Sequence, residues 1–274
     1  MILALRGVPP RLAAAVRGIR ARAALLRRLL TSTSVHARAA VAALIALPSA
    51  ALSHTVLDPE LAQALLNEIA QYQTAAHSEK AREIRAEALF VLAGKAQTLT
   101  GLLNQDVDAH GTPNRLTMQV AQQLSDSGIK VTWSEQRRRY AYDMEALRQY
   151  SALAPNGTHA PEARFRIISG GFYATLDMDP SKVAARDLPA VMAAAADEER
   201  FLRDFPDDPR AKEVRFYLGV DCYRLALNVV DRDQAVGYRR CARQVLETVA
   251  ARYPGSIEAR AASSLLESTD AAKR

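Results

Sequence analysis

The stretches "APNGTHAPEARF" (154–165), "FPDDPRAKEVRF" (205–216) and "YPGSIEARAASS" (253–264) write one phrase three times, 51 and then 48 residues apart. Each opens with Ala154, Phe205 or Tyr253 and then a proline, Pro155, Pro206 or Pro254. Asn156-Gly157, Asp207-Asp208 and Gly255-Ser256 come next, and Ala160, Ala211 and Ala259 follow in register. The first two copies continue into Phe165 and Phe216. Proline lacks a backbone donor and drives the residue before it out of the α conformation, so it stops a helix. The Asp, Asn, Gly and Ser residues turn the chain and cap the next helix. The small Ala lets that helix come close to its neighbour, and Phe165 and Phe216 are expected in the core. Each interval has room for two helices and a loop, so the phrase predicts stacked α-hairpins.

Composition agrees. The 274 residues are 49% hydrophobic but only 6% aromatic, which favours closely packed helices over a sandwich of sheets. The net charge of +6 invites a nucleic-acid reading. Its distribution argues against one. Residues 1–57 hold eight Arg and no Asp or Glu, whereas residues 58–274 carry 28 basic and 30 acidic side chains. A nucleic-acid-binding body would concentrate its positive charge in the body, so no nucleic-acid partner is expected.

The basic leader predicts an address. "RGIRARAALLRRLLTSTSVHAR" is followed by the apolar run "AAVAALIALPSAAL" (39–52), and the small residues of "PSAALS" place Ala51 and Ser53 at −3 and −1 of a cleavage point. Ser49 and Ala51 offer the same one choice earlier. An export leader over residues 1–53 is the expectation; an Arg-rich organellar presequence or a membrane-surface helix are the alternatives. The n-region is long for a bacterial signal, and a start near Val35 would leave a compact one. The apolar run of 14 residues is shorter than the ~20 that span a bilayer, and no Cys follows the small residues as in a lipidation signal. No transmembrane span is expected in the mature chain.

The rest of the body reads as helices. Asp58 and Pro59 open one. A long helix follows, with Ile84, Ala88, Leu89, Val91, Leu92 and Leu99 on its apolar side, until "DAHGTPN" breaks it. "RLTMQVAQQLSDSG" makes a shorter helix and "IKVTW" a brief extended piece. Thr132 with Glu135 then predicts a capping box opening a helix through Leu153, with Trp133, Tyr140, Met144 and Leu147 on one face. The fold class expected is all-α: an N-terminal helical region over 54–130 and stacked antiparallel hairpins over 131–274.

Cys222 and Cys241 lie about equally far on either side of "NVVDRDQ", so an antiparallel helical hairpin sets them at one height. Both must face inward to bring their Cα atoms within ~7 Å for a disulfide. Two small buried thiols satisfy the same spacing.

"FPDDPRAKEVRFYLG" and "YPGSIEARAASSLL" resemble the Y-P-x-S-x-x-A…A repeat joints of tetratricopeptide-like (TPR-like) envelope proteins, of the BamD and Tol–Pal coordinator type. The resemblance covers about residues 150–268. It implies a TPR-like superhelix acting as a non-enzymatic scaffold that holds a protein or peptide partner; with the leader, the address expected is the periplasm or cell envelope, and no cofactor is expected.

Candidate chemistry is sparse. Arg137, Arg138 and Arg139 with Tyr140, Tyr142 and Tyr150 suit an anion, sugar or base, and an envelope enzyme or sugar/anion-binding module using residues 137–150 is the alternative function. Such a run is more often the wet side of an amphipathic helix. Asp106, Asp108 and Gly111 fall at positions 1, 3 and 6 of an EF-hand-like loop, but His110 and Thr117 occupy ligand positions that want oxygen donors and a bidentate Glu. No metal site is expected there. Ser127 and Lys130 have S-x-x-K spacing without its companion motifs. His54, exposed by cleavage after Ser53, would lack a second His at a telling spacing for copper. Gly170-Gly171 suits a close helix crossing better than a phosphate loop. Asp177 and Asp179 before Pro180 read as a loop and cap.

Overall fold

A computed structural model describes residues 57–175 and 182–271. The export leader, His54, Asp177 and Asp179 lie outside the described residues. Nine α-helices and one two-stranded hairpin follow in order among them: α1 Pro59–Ser78, α2 Arg82–His110, α3 Arg115–Asp126, β1 Val131–Ser134, β2 Arg139–Tyr142, α4 Glu145–Leu153, α5 Ala160–Thr175, α6 Leu188–Asp204, α7 Ala211–Asn228, α8 Arg232–Arg252 and α9 Ile257–Ala271. The chain is thus mainly helical. Among the described residues, no helix is long and apolar enough to cross a membrane.

The helix starts follow local chemistry. Asp58 Oδ1 accepts hydrogen bonds from Glu60 N and Leu61 N, with Pro59 in the first turn of α1. Helix α2 ends where Gly111 takes φ 79°, a left-handed conformation that costs glycine little. Of its expected apolar side, Ala88, Leu89, Leu92 and Leu99 are buried and Val91 is half-buried, whereas Ile84 is exposed. Asn114 caps α3 through Leu116 N and Thr117 N.

The helix expected from Thr132 to Leu153 does not form. Its first half is the β1–β2 hairpin, with Val131 opposite Tyr142, Thr132 opposite Ala141, Trp133 opposite Tyr140 and Ser134 opposite Arg139. β1 is a run of β-branched and aromatic residues, Val131 to Trp133, and β2 alternates, Tyr140 and Tyr142 pointing inward while Arg139 and Ala141 point out. Arg138 sits at φ 51° and Met144 at φ 63°, so a continuous right-handed helix is interrupted at both points. Trp133 and Tyr140, expected on one helix face, instead meet across the strands, with ring centroids 5.1 Å apart. Helix α4 starts only at Glu145, whose N–H donates to Asp143 Oδ1.

The three phrases form the same joint. Ala154, Phe205 and Tyr253 adopt φ/ψ of −130/64°, −133/58° and −123/52° as they end α4, α6 and α8. That extended φ is what a following proline imposes. Their carbonyls accept from Gly157 N, Asp208 N and Ser256 N at 3.0, 3.2 and 3.1 Å, closing one turn each time. Ala160, Ala211 and Ala259 are all buried at the next helix start. The joints are also tied to one another. Arg210 pairs with Glu162, and Lys212 Nζ stands 3.6 Å from Glu258 Oε1. These pairs bring the first turns of α5, α7 and α9 side by side, and α7 packs on both α5 and α9.

The core runs along this row of helices. One apolar cluster extends from Leu57 through Leu103, Tyr140 and Leu147 to Ala163, so packing is continuous on both sides of residue 130. A second joins Ile168 and Phe172 to Phe201, Val214 and Tyr217. A third links Val191, Ala195, Leu218 and Ala242, and a fourth sets Leu246 and Val249 against Ala262. Gly219 marks the tightest crossing: a Cβ there would lie 2.6 Å from Leu246 Cδ2. The structure joins Cys222 to Cys241 at a Cα–Cα distance of 6.0 Å, bridging α7 and α8.

Candidate functional site

The sequence-derived candidates gather near the end of α2. The hairpin docks on that helix through Asn104, whose Oδ1 accepts from Tyr140 N at 2.7 Å and whose Nδ2 donates to Tyr140 O at 3.0 Å. One side-chain amide thereby replaces a neighbouring strand. Arg138 donates to Gly111 O, and Arg139 Nη2 stands 3.2 Å from Asp108 Oδ2. Arg137 sits in the turn, its N–H on Ser134 Oγ. Tyr142 is buried, its hydroxyl oxygen accepts from Ala146 N, and burial pushes its pKa up to about 12. Arg138, Arg139 and Tyr142 are therefore engaged in docking the hairpin and opening α4.

Asp106 is fully buried and structural. Its Oδ1 accepts from Leu57 N at 3.0 Å and its Oδ2 from Asn114 Nδ2 at 2.6 Å, fastening the start of the described chain to the α2–α3 turn. His110 Nδ1 lies 2.8 Å from Asp106 O. The EF-hand-like spacing is thus mostly helix: Asp106, Asp108 and His110 lie in the last turns of α2, Thr117 lies in α3, and only residues 111–114 turn the chain between them. No group of three or more potential metal-ligating side chains converges among the described residues. Ser127 Oγ donates to Leu124 O, and Gly170 provides the close approach to Met144, whose Cε would lie 2.9 Å from an added Cβ.

Two surface cavities lie elsewhere. One of about 330 Å³ sits between the α1–α2 turn and α4, lined by His77, Arg85 and Leu153. The other, about 360 Å³, is a groove between α6 and α8 with α7 as its floor. Leu202, Leu218 and Val245 form its apolar lining, Cys241 of the disulfide opens onto it, and Glu199 and Arg215 stand at its rim. Arg215 Nη1 donates to Tyr253 Oη at 2.7 Å, so the cation is held in place by the third joint.

A buried ionic cluster escaped the reading of the sequence. Glu198, Asp221 and Arg224 are 1%, 1% and 2% exposed, between α6 and α7. Arg224 Nη1 donates to Asp221 Oδ1 at 2.8 Å, and its guanidinium lies over the Phe172 ring, 5.5 Å from the centroid. Neither carboxyl oxygen of Glu198 accepts a hydrogen bond among the described residues. Burial, then the charge of Asp221, raises the Glu198 pKa well above the usual carboxylate range. Burial raises Asp221 to about 6 despite the attraction of Arg224. The available signal was Asp221 and Arg224, one turn apart in a stretch, Phe216 to Leu227, that carries no other charge.

No family model, curated protein or solved structure matches the chain. The resemblance to tetratricopeptide-like envelope proteins stands on the joint residues alone.

Proposed function

We propose that the chain is a non-enzymatic interaction scaffold of the bacterial cell envelope, exported by its basic leader and built as a TPR-like stack. The observation that carries this reading is the threefold joint: one backbone turn repeated at Ala154, Phe205 and Tyr253, with adjacent joints ion-paired to each other. Repeats of that kind hold helices rigidly in register, so a groove on them loses little entropy on binding. The groove over Leu202, Leu218 and Val245 offers an apolar strip with a fixed cation at its rim, which suits a protein or peptide segment. The alternative use of residues 137–150 as an anion or sugar site is weakened by the packing of Tyr142 and the contacts of Arg138 and Arg139.

The test is a photo-cross-linking amino acid placed at Val245, with Leu61 on α1 as control, in the protein expressed with its own leader in a bacterial host. A discrete adduct from the envelope fraction at Val245, absent at Leu61 and abolished by Leu218→Arg, is expected. Recovery of the chain in the cytosol with its leader intact, or adducts alike at both positions, overturns the proposal.

A further inference from the structure

Helix α8 carries a basic stripe that the packing of the stack does not use. Its second half holds Ala242, Leu246 and Val249 against α7 and α9, whereas its first half carries Arg232, Val236, Arg239 and Arg240 over ~12 Å of helix. Arg232, Arg239 and Arg240 are exposed, and none of them makes a hydrogen bond or ion pair among the described residues. The body as a whole, these arginines included, carries 28 basic and 30 acidic side chains. Asp231 is engaged in capping α8 through Gln234 N, and Asp233 and Glu247 are the acids within the helix.

At one end of this stripe stands an apolar tip. Val230, in the α7–α8 turn, is 97% exposed, and Leu227 and Val236 beside it in sequence are 45% and 52% exposed. The tip is the end of a hairpin whose two helices are joined by the Cys222–Cys241 disulfide. Arginines along a helix with aliphatic side chains at its end match a surface that has phosphates outside and hydrocarbon just beneath. We infer that the α7–α8 hairpin end docks peripherally on an anionic lipid bilayer, Val230 and Leu227 entering the headgroup layer and Arg232, Arg239 and Arg240 pairing with lipid phosphates. This contact is separate from the groove over α7, which α8 lines with Cys241, Gln244, Val245 and Thr248.

The test uses residues 54–274, a compact unit without the leader, so that the eight leader arginines cannot bind the vesicles themselves. Co-sedimentation is measured with phosphatidylcholine vesicles, with and without about one-third phosphatidylglycerol. Binding to the anionic vesicles is expected, at least tenfold weaker for the triple variant Arg232→Glu, Arg239→Glu, Arg240→Glu, and weaker with added salt. A Val230→Trp variant is expected to shift its fluorescence to shorter wavelength on anionic vesicles alone. All these positions are exposed, and circular dichroism checks that the variants stay helical. The inference is overturned if the chain does not bind anionic vesicles, if the triple variant binds as the unaltered chain does, or if Trp at 230 stays in water while the chain is bound. An acidic protein partner for the same arginines would give the last of these outcomes.

Discussion

Asp221 Oδ1 accepts a 2.8 Å hydrogen bond from Arg224 Nη1 one turn along α7, with both side chains 2% exposed and the Glu198 carboxyl buried beside them. Two carboxyls thus share the interior with one guanidinium; Asp197 and Glu199 add further negative charge from α6. Both buried carboxyls hold their protons to higher pH folded than the ~4 of an unfolded chain. Over that window the folded state binds more protons, so this cluster's contribution to stability falls as pH rises through about 6 and beyond. Glu198→Gln keeps the shape and removes the titration. Its urea midpoint is expected to exceed that of the unaltered chain at pH 8, with the difference shrinking towards pH 5. A difference constant over that range would contradict the assignment. Arg224→Met leaves Asp221 buried without its guanidinium, and is expected to cost about 3–5 kcal/mol at neutral pH.

The disulfide gives a prediction of its own. Cys222 and Cys241 are 19 residues apart, and closing a loop of that order contributes about 3 kcal/mol by restricting the unfolded chain. Cys222→Ala with Cys241→Ala is expected to lower the unfolding free energy by about that much. Reductant should destabilise the unaltered chain and leave the double variant unmoved. Cys241 opens onto the groove, so native-state reduction is expected without prior unfolding.

The joints were legible because proline and the small turn residues act locally: a residue before proline has few conformations, and Ala154, Phe205 and Tyr253 took the same one. The height match of Cys222 and Cys241 followed from the turn between them. The hairpin was misread for the converse reason. Trp133, Tyr140, Met144 and Leu147 fit a helical period, yet Val131 to Trp133 and Tyr140 to Tyr142 also fit a period of two. What decides between them is Asn104, 36 residues away from Tyr140, supplying the partners for a strand edge. The buried cluster was hidden similarly, because Glu198 stands between Asp197 and Glu199 and looks like part of a wet face. Only the packing of α6 on α7 turns it inward.

Gly219 tests the crossing of α7 and α8. Alanine is the better helix former by up to about 1 kcal/mol, but its Cβ would meet Leu246 at 2.6 and 2.8 Å. Gly219→Ala is therefore expected to destabilise by roughly 1–3 kcal/mol through overpacking. Leu246→Ala alone opens a cavity and costs about 2–5 kcal/mol. In the double variant the added methyl occupies part of that cavity, so its cost should fall clearly below the sum of the two single costs. Strict additivity by chemical denaturation would show that the two residues do not meet.

Asn104 tests how the hairpin is held. Its amide both donates to and accepts from the backbone of Tyr140, a pairing that needs the two functions in one side chain. Asn104→Ala leaves the N–H and C=O of Tyr140 without partners at a half-buried site and is expected to cost about 2 kcal/mol or more. Asn104→Asp keeps the acceptor for Tyr140 N but sets a carboxylate oxygen against Tyr140 O, so it should be no better than Ala at pH 7 and should recover as the carboxyl protonates in acid. Gln is one methylene too long to meet both groups. Hydrogen exchange at Tyr140 N reads the effect directly. It is expected to accelerate in both Asn104→Ala and Asn104→Asp, while amides in α8 and α9, far along the row of helices, keep their protection. Uniform acceleration through α9 would mean instead that all the helices open as one unit and that the hairpin is not a separable latch.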